Sequence, residues 1–177
     1  MSAVLFGSIS TLADTSELQR QAFNQAFADS GLEWQWSRDD YIAMLDSNGG
    51  AQRIQDYAES RGEDVDAAAV HARKSEIFQK LLGESTVSPR PGVVELVTAA
   101  KDNDYKVGFV TTTSQSNIDA LLSALEPHLS ADTFDLIVDK EAVSEPKPNA
   151  AVYQFALEQL GERADDVVAI EDNVGGV

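Results

Sequence analysis

Residues that can bind an anion lie beside short apolar stretches of this sequence. Thr111 directly follows one such stretch, and Lys147 precedes a proline, a pairing typical of the first turn of a helix. The first apolar stretch leads into small and hydroxyl residues that reach Thr11, and the last one is followed by the acids Glu171 and Asp172. A lysine, hydroxyl groups and backbone amides can hold a phosphate without any nucleophile. These residue types therefore favour an anion pocket with two carboxylates beside it.

Each of these residues also has a simpler interpretation. Lys147 can be the start of a surface helix, and Thr111 can be one of three β-branched residues that end a strand. Glu171 and Asp172 can be solvated loop acids, because the chain is strongly acidic. The interpretation as a site therefore depends on an arrangement that brings these residues together.

Two patterns divide the chain into a mixed part and a helical part. Apolar stretches at 3–6, 107–110, 136–138 and 167–170 predict strands, and they alternate with helical patterns at 93–101, 118–125 and 150–160. Such alternation predicts an α/β fold, a Rossmann-like parallel sheet with helices on both faces. Ligands bind at the carboxyl ends of the strands in this architecture, where the residues named above lie.

The helical part follows the first strand. Helical patterns run from Ser16 to about Asp29 and over 38–45, 50–61 and 64–82, with no strand pattern among them. We therefore predict a helical cap over residues 15–88, inserted into an α/β core made of residues 1–14 and 89–177. Trp34 and Trp36 lie in this block, and we expect them to pack rather than to bind.

The strand-end residues resemble, in chain order, the four signature motifs of the haloacid dehalogenase superfamily. Its first motif is a strand followed by Phe-Asp-x-Asp-Gly-Thr-Leu, where residues 6–12 read Phe-Gly-Ser-Ile-Ser-Thr-Leu. Thr111 matches the second motif, Lys147 the third, and Glu171 with Asp172 the fourth. The resemblance covers essentially the whole chain and implies a core of this superfamily's fold with a cap.

The helical block is similar to the CbbY-type branch, phosphatases such as those acting on xylulose-1,5-bisphosphate. The residues that carry this similarity are Trp34, Trp36, Gly49, Gly50, Arg53, Ile54, Lys74, the turn 90–92 and the run 111–113. Among them the resemblance implies substrate-binding positions at Gly49, Gly50, Arg53 and Lys74. It implies catalytic positions at Gly7, Ile9, Thr11, Thr111 and Lys147. It also implies a Mg²⁺ site at Asp172 and Glu171.

Both aspartates of the first motif are replaced in this chain. In the superfamily the first attacks phosphorus and the second shuttles a proton, but Gly7 has no side chain and Ile9 has no proton to give. The lost carboxylate also weakens the expected Mg²⁺ site. We therefore expect the chain to hydrolyse phosphate esters poorly or not at all, and to bind a phosphorylated small molecule or a protein partner instead.

Two alternatives remain open, an active Mg²⁺-dependent phosphatase that uses an unrecognised nucleophile and a decayed product without a role. Ser8 and Ser10 are the nearby hydroxyls. We expect Ser8 to point away from the phosphate, because alternate residues of an extended segment face opposite sides. Ser10 has no histidine close in sequence to activate it.

The composition also limits the classes of molecule that this chain can bind and its expected location. Of the 177 residues, 13 are basic and 30 acidic, and the net charge of −17 disfavours nucleic acid and anionic membranes. The chain has no cysteine, no apolar run of membrane-spanning length and no signal-peptide pattern, which favours a cytoplasmic location. Family members continue with a further helix and strand beyond the position of Val177. We therefore expect self-association, partner binding or marginal stability through an incompletely covered sheet.

Overall fold

The computed structural model describes residues 1–45, 49–173 and 176. Its elements in chain order are β1 (Ala3–Phe6), α1 (Ile9–Leu12), α2 (Ser16–Asp29), α3 (Arg38–Ala43), α4 (Gly50–Arg61), α5 (Ala67–Glu84), α6 (Val93–Asp102), β2 (Lys106–Val110), α7 (Gln115–Leu125), β3 (Leu136–Val138), α8 (Ala151–Leu160) and β4 (Val167–Ile170). Short 3₁₀ turns precede β3 and β4. The strands form one parallel sheet in the order β3-β2-β1-β4. The predicted α/β fold is therefore confirmed.

The central strand β1 is buried on both faces. Val4 and Phe6 belong to an apolar cluster that includes buried residues of α6 and α7, whereas Ala3 and Leu5 pack with α8 on the other face. This alternation is the two-residue period of a strand, and it requires helices on both sides. All four residues are at most 2% exposed, so β1 fixes the position of the loop that follows it.

The helices α2 to α5 have an aromatic core of their own. Phe23, Phe27, Trp34, Trp36 and Tyr41 are buried together, with the Trp36 ring centroid 4.7 Å from that of Phe27. This agrees with the expected packing role of the tryptophans. The same helices also join the core cluster through Phe78 and Leu82 of α5. The apolar clusters thus overlap, and the division at residues 14 and 88 stays a prediction.

Capping side chains account for two differences from the predicted elements. α5 begins at Ala67 rather than near residue 64, because the Asp66 side chain accepts a hydrogen bond from the Ala69 amide at 3.0 Å. The helix α1 was not predicted at all. It forms because the Ser8 hydroxyl accepts a hydrogen bond from the Thr11 amide at 3.1 Å.

The strand β4 is an edge of the described sheet. Its outer residues Val168 and Ala169 are exposed, Val168 to 45%. Val177, on which the expectation about the chain end rests, lies outside the described residues. Across the described ranges, no helix is long and apolar enough to cross a membrane.

Candidate functional site

The carboxyl ends of β1, β2 and β4 meet at a cavity of about 330 Å³. Gly7, Ser8, Thr111, Lys147 and Glu171 line it from the sheet side. The remaining lining includes Gly49 and Gln52 from the start of the cap helix α4. Residues of all four motifs and of the cap helix α4 therefore line the same cavity, as predicted from the positions of the strand ends.

Lys147 is the most heavily bonded group of this cavity. Its ammonium donates to the carbonyl oxygens of Gly7 and Val110 and, at 2.5 Å, to Oε1 of Glu171. The Tyr153 hydroxyl lies 3.1 Å from the same nitrogen. An ammonium has three protons, so these acceptors use all of them. Burial lowers the pKa of Lys147, and the Glu171 carboxylate opposes that change.

Gly7 leaves room that Glu171 and Tyr153 fill. A Cβ atom built on Gly7 would lie well under 3.0 Å from Oε1 of Glu171 and from the Tyr153 hydroxyl oxygen. The Tyr153 hydroxyl donates to Oε1 of Glu171, whose side chain is only 3% exposed. The Gly7 amide is also committed, because it donates to the Ile170 carbonyl at 2.9 Å. The place where the superfamily projects its nucleophile therefore holds a carboxylate that comes from the end of β4.

Ser8 is the last extended residue before α1. The strand ends at Phe6, and Ser8 is the N-cap of α1, with φ −152° and ψ 164°. Ser8 lines the cavity, whereas its hydroxyl donates to Oδ1 of Asp172 at 2.7 Å and lies 2.8 Å from the Thr11 hydroxyl, and these two residues line a second cavity. The expectation that the Ser8 side chain faces away from a bound phosphate stays a prediction.

Ile9 and Thr11 do not reach the Lys147 cavity. Ile9 is 6% exposed and belongs to the apolar cluster of the core, so it presents no side chain to a leaving group. The Thr11 hydroxyl lies 2.8 Å from that of Ser8, and Thr11 lines a different cavity of about 450 Å³ beside Arg90 and Asp172. The Thr11 amide is bonded to Ser8. The anion pocket predicted from Thr11, Thr111 and Lys147 is therefore divided between two cavities.

The cap cations point into the cap. Arg53 is 8% exposed, and its Nε donates to the Met44 carbonyl at 3.0 Å. Lys74 is 5% exposed, bonds the Gln19 side chain and lies 4.8 Å from the ring centroids of Phe23 and Phe78. Neither residue lines the two cavities described here.

Burial and neighbouring cations perturb this part of the cap. Burial, with a smaller effect of Arg53, lowers the pKa of Lys74 to about 7. Burial also lowers the pKa of His71 to about 4, with Lys74, Lys140 and Arg53 adding to the effect. A Cβ atom on Gly50 would lie under 3.0 Å from the His71 ring, so Gly50 allows this histidine to approach. Of the four predicted substrate positions, only Gly49 lines the cavity.

The acids do not fit a tightly held Mg²⁺. The Glu171 carboxylate is bonded to Lys147 and Tyr153, which leaves Asp172 as the exposed acid next to it. In the parts of the chain that the structure describes, no group of three or more His, Cys, Asp or Glu residues could hold a metal ion. Mg²⁺ prefers six oxygen ligands in near-octahedral geometry, and few are available here.

Two residues of the site had no motif to reveal them. Tyr153 lies six residues after Lys147, in the first turn of α8, and burial, together with the neighbouring Glu171 carboxylate, raises the pKa of its hydroxyl. Asn173 lines the cavity, and among the described residues its buried Oδ1 has no hydrogen-bond partner. The only sequence signal was their position next to the third and fourth motifs.

Comparisons with known proteins show the family of this chain. Residues 10–177 match the family model described as haloacid dehalogenase-like hydrolase. Protein CbbY of Cereibacter sphaeroides is 36% identical over 178 residues, a match that covers 99% of this chain and 77% of that protein.

Solved structures give the same result. The crystal structure of CbbY from Rhodobacter sphaeroides in complex with phosphate superposes with a TM-score of 0.90 at 36% identity, covering 99% of this chain and 80% of the other. A mutant of that protein in complex with xylulose-1,5-bisphosphate superposes with the same TM-score, identity and coverage. The chain is therefore a sugar-phosphate phosphatase-like member of the haloacid dehalogenase-like hydrolase family, similar to the CbbY proteins.

Proposed function

We propose that this protein binds a phosphorylated sugar at the Lys147 cavity without hydrolysing it. The observation that carries this proposal is Gly7, which stands at the tip of β1 where the superfamily has its nucleophile. Catalytic groups that act as a unit contribute on the order of 10⁴ to 10⁶ in turnover, and both first-motif carboxylates are absent here. Turnover close to background follows.

The ligand class is supported by the relatives. A CbbY protein of the same fold has been solved with phosphate, and a mutant of it with xylulose-1,5-bisphosphate. In this chain, Thr111 and Ser8, which carry hydroxyls, and Lys147, which carries an ammonium group, line the cavity. These are groups that can hold a phosphate.

One observation favours a second candidate, an active phosphatase with Ser8 as nucleophile. Ser8 lines the cavity, and its hydroxyl donates to the Asp172 carboxylate at 2.7 Å, which is the arrangement of a nucleophile next to a base. We rank it second because the Ser8 oxygen also accepts the Thr11 amide, so that its lone pair is partly used in capping α1.

The test measures phosphate release from xylulose-1,5-bisphosphate and a panel of sugar phosphates with Mg²⁺ present. We expect no turnover above the protein-free rate, and no phosphorylated protein in intact mass spectra. Turnover that persists in Ser8→Ala but disappears in Lys147→Met would contradict the proposal. Turnover that Ser8→Ala abolishes would establish the second candidate.

The double variant Gly7→Asp, Ile9→Asp restores both first-motif carboxylates and is the positive control for phosphate release. Replacing Ile9 buries a carboxylate among apolar residues, which costs about 3 kcal/mol or more. Its thermal unfolding is therefore measured first. A folded double variant that releases phosphate where the unmodified chain does not would support the proposal.

Three further properties belong to this proposal. Mg²⁺ binding is weak, because the Glu171 carboxylate is bonded to Lys147, and calorimetric titration with MgCl₂ measures the affinity.

The location is cytoplasmic, as expected from the composition, and cell fractionation tests it. Self-association uses the exposed edge β4, and sedimentation of the unmodified chain and Val168→Glu measures its concentration dependence.

A further inference from the structure

We propose that the Glu171 carboxylate is a built-in competitor for the anionic ligand, which binds only after this carboxylate leaves Lys147. The inference rests on the proposed function, because it assumes that the ligand carries a phosphate. It adds a residue of this chain that sets the affinity of the cavity for anions.

The bonds of Lys147 make Glu171 the replaceable partner. The other two strong acceptors are the carbonyl oxygens of Gly7 and Val110. Val110 is paired with Val138 in the sheet, and Gly7 directly follows β1 and is held by its amide hydrogen bond to Ile170. Glu171 reaches the ammonium with a flexible side chain. A phosphate oxygen that needs a proton from Lys147 must therefore take the one that Glu171 now accepts.

Gly7 is what allows Glu171 to sit there. Any side chain at position 7 would place its Cβ atom within the space of the Glu171 carboxylate. A Cβ atom on Gly176 would meet the same carboxylate, so two glycines enclose it. The absence of a side chain at Gly7 thus removes the nucleophile and also seats an acid in its place.

The charge of the cavity supports the same conclusion. Lys147 and Glu171 are the ionisable residues among its described lining, and their charges sum to zero. Asp172 stands next to them and adds a negative charge. An incoming phosphate therefore meets no net positive charge while the Glu171 carboxylate is present, whereas its removal leaves Lys147 as the charged residue of the described lining.

The experiment titrates inorganic phosphate into the unmodified chain, Glu171→Gln and Asp172→Asn by isothermal calorimetry. Glutamine keeps the shape of the side chain but removes its charge, so we expect at least about a tenfold lower Kd for Glu171→Gln. Asp172→Asn removes the same charge from an acid that does not bond Lys147, and we expect less than about a threefold change. Equal effects of the two variants, or no gain in Glu171→Gln, would overturn the proposal.

A second variant displaces the carboxylate without changing any charge. Gly7→Ala places a methyl group against Glu171, and we expect its phosphate affinity to rise several-fold as well, with the circular dichroism spectrum unchanged. This variant decides the matter if Glu171→Gln does not fold, and an unchanged or weaker affinity would count against the proposal. Phosphate binding by the unmodified chain with no gain in either variant would remove this inference alone. Absence of binding in all of them would remove the proposed function too.

Discussion

Two buried lysines, one in the core and one in the cap, have opposite surroundings. Lys147 is 7% exposed and has a carboxylate partner at 2.5 Å. Lys74 is 5% exposed, and it contacts the neutral Gln19 side chain and two aromatic faces. Burial lowers the pKa of both, but at Lys147 the Glu171 carboxylate works against it.

The core lysine has a carboxylate partner, although this chain lacks both first-motif carboxylates of the superfamily. The carboxylate of Glu171 lies in the space of the missing side chain and neutralises Lys147. In the cap, Lys74 contacts the neutral Gln19 side chain, which supplies no negative charge. Lys147 and Glu171 therefore form a buried ion pair in the core. In the cap, the amine of Lys74 can lose its proton near neutral pH.

The largest expected difference comes from replacing each lysine by methionine. Lys147→Met leaves the Glu171 carboxylate buried without its cation, so we expect a loss of about 3 to 5 kcal/mol in the free energy of unfolding. Lys74→Met removes an amine that is costly to bury, and we expect a change of less than about 1 kcal/mol. Urea denaturation at pH 7.5 measures both. Similar losses would mean that the two lysines are not differently compensated.

The pH dependence of stability sharpens the comparison from the cap side. The folded pKa of Lys74 is about 7 against an ordinary value of 10.5, so the unfolded chain binds more protons between these values. Stability must then rise with pH, by about 2 to 3 kcal/mol between pH 7.5 and 9.5. Denaturation of Lys74→Met over the same range is the control, and its curve should be flatter. If the stability of the unmodified chain fell as the pH rises over this range, a lowered pKa of Lys74 would be excluded.

Tyr153→Phe probes the core pair more gently. The variant removes a hydrogen bond to a buried carboxylate, for which we expect a cost of about 1 to 2 kcal/mol. Lys147 and Glu171 remain, so the two-state unfolding and the circular dichroism spectrum should not change. Chemical denaturation beside Tyr105→Phe, whose ring lies at the edge of the core cluster, provides the comparison. A cost no larger than that of the control would mean that Tyr153 does not support Glu171.

The smallest effect on stability is expected when the cap lysine receives a partner. Gln19→Glu turns the Lys74 contact into an ion pair, which raises the pKa of Lys74 toward its ordinary 10.5. The free energy of unfolding should change by less than about 1 kcal/mol, because the cost of burying the new charge offsets the attraction. Side-chain NMR of Lys74 as a function of pH measures the pKa. An unchanged value would show that Gln19 and Lys74 are not in contact in solution.

Most elements of the fold follow from local patterns. The strands 3–6, 136–138 and 167–170 and the helix Gly50–Arg61 were predicted with the observed bounds, since apolar spacing is a property of neighbouring residues. The short helix Ile9–Leu12 was missed because its four residues show no period, and only the Ser8 cap signals it. That one helix places Ile9 in the apolar core and Thr11 at a second cavity, so neither lines the Lys147 cavity.

The sequence by itself determined which chemistry is absent, because no arrangement of the chain can give Gly7 or Ile9 a carboxylate. It also determined the family, through residues that recur in a fixed order. Only the tertiary structure decided what fills the space beside Gly7, since Glu171 lies 164 positions away along the chain and reaches Lys147 through the pairing of β1 with β4. Motifs record which groups are present, whereas the pairing of charges depends on distances that the folded sheet alone sets.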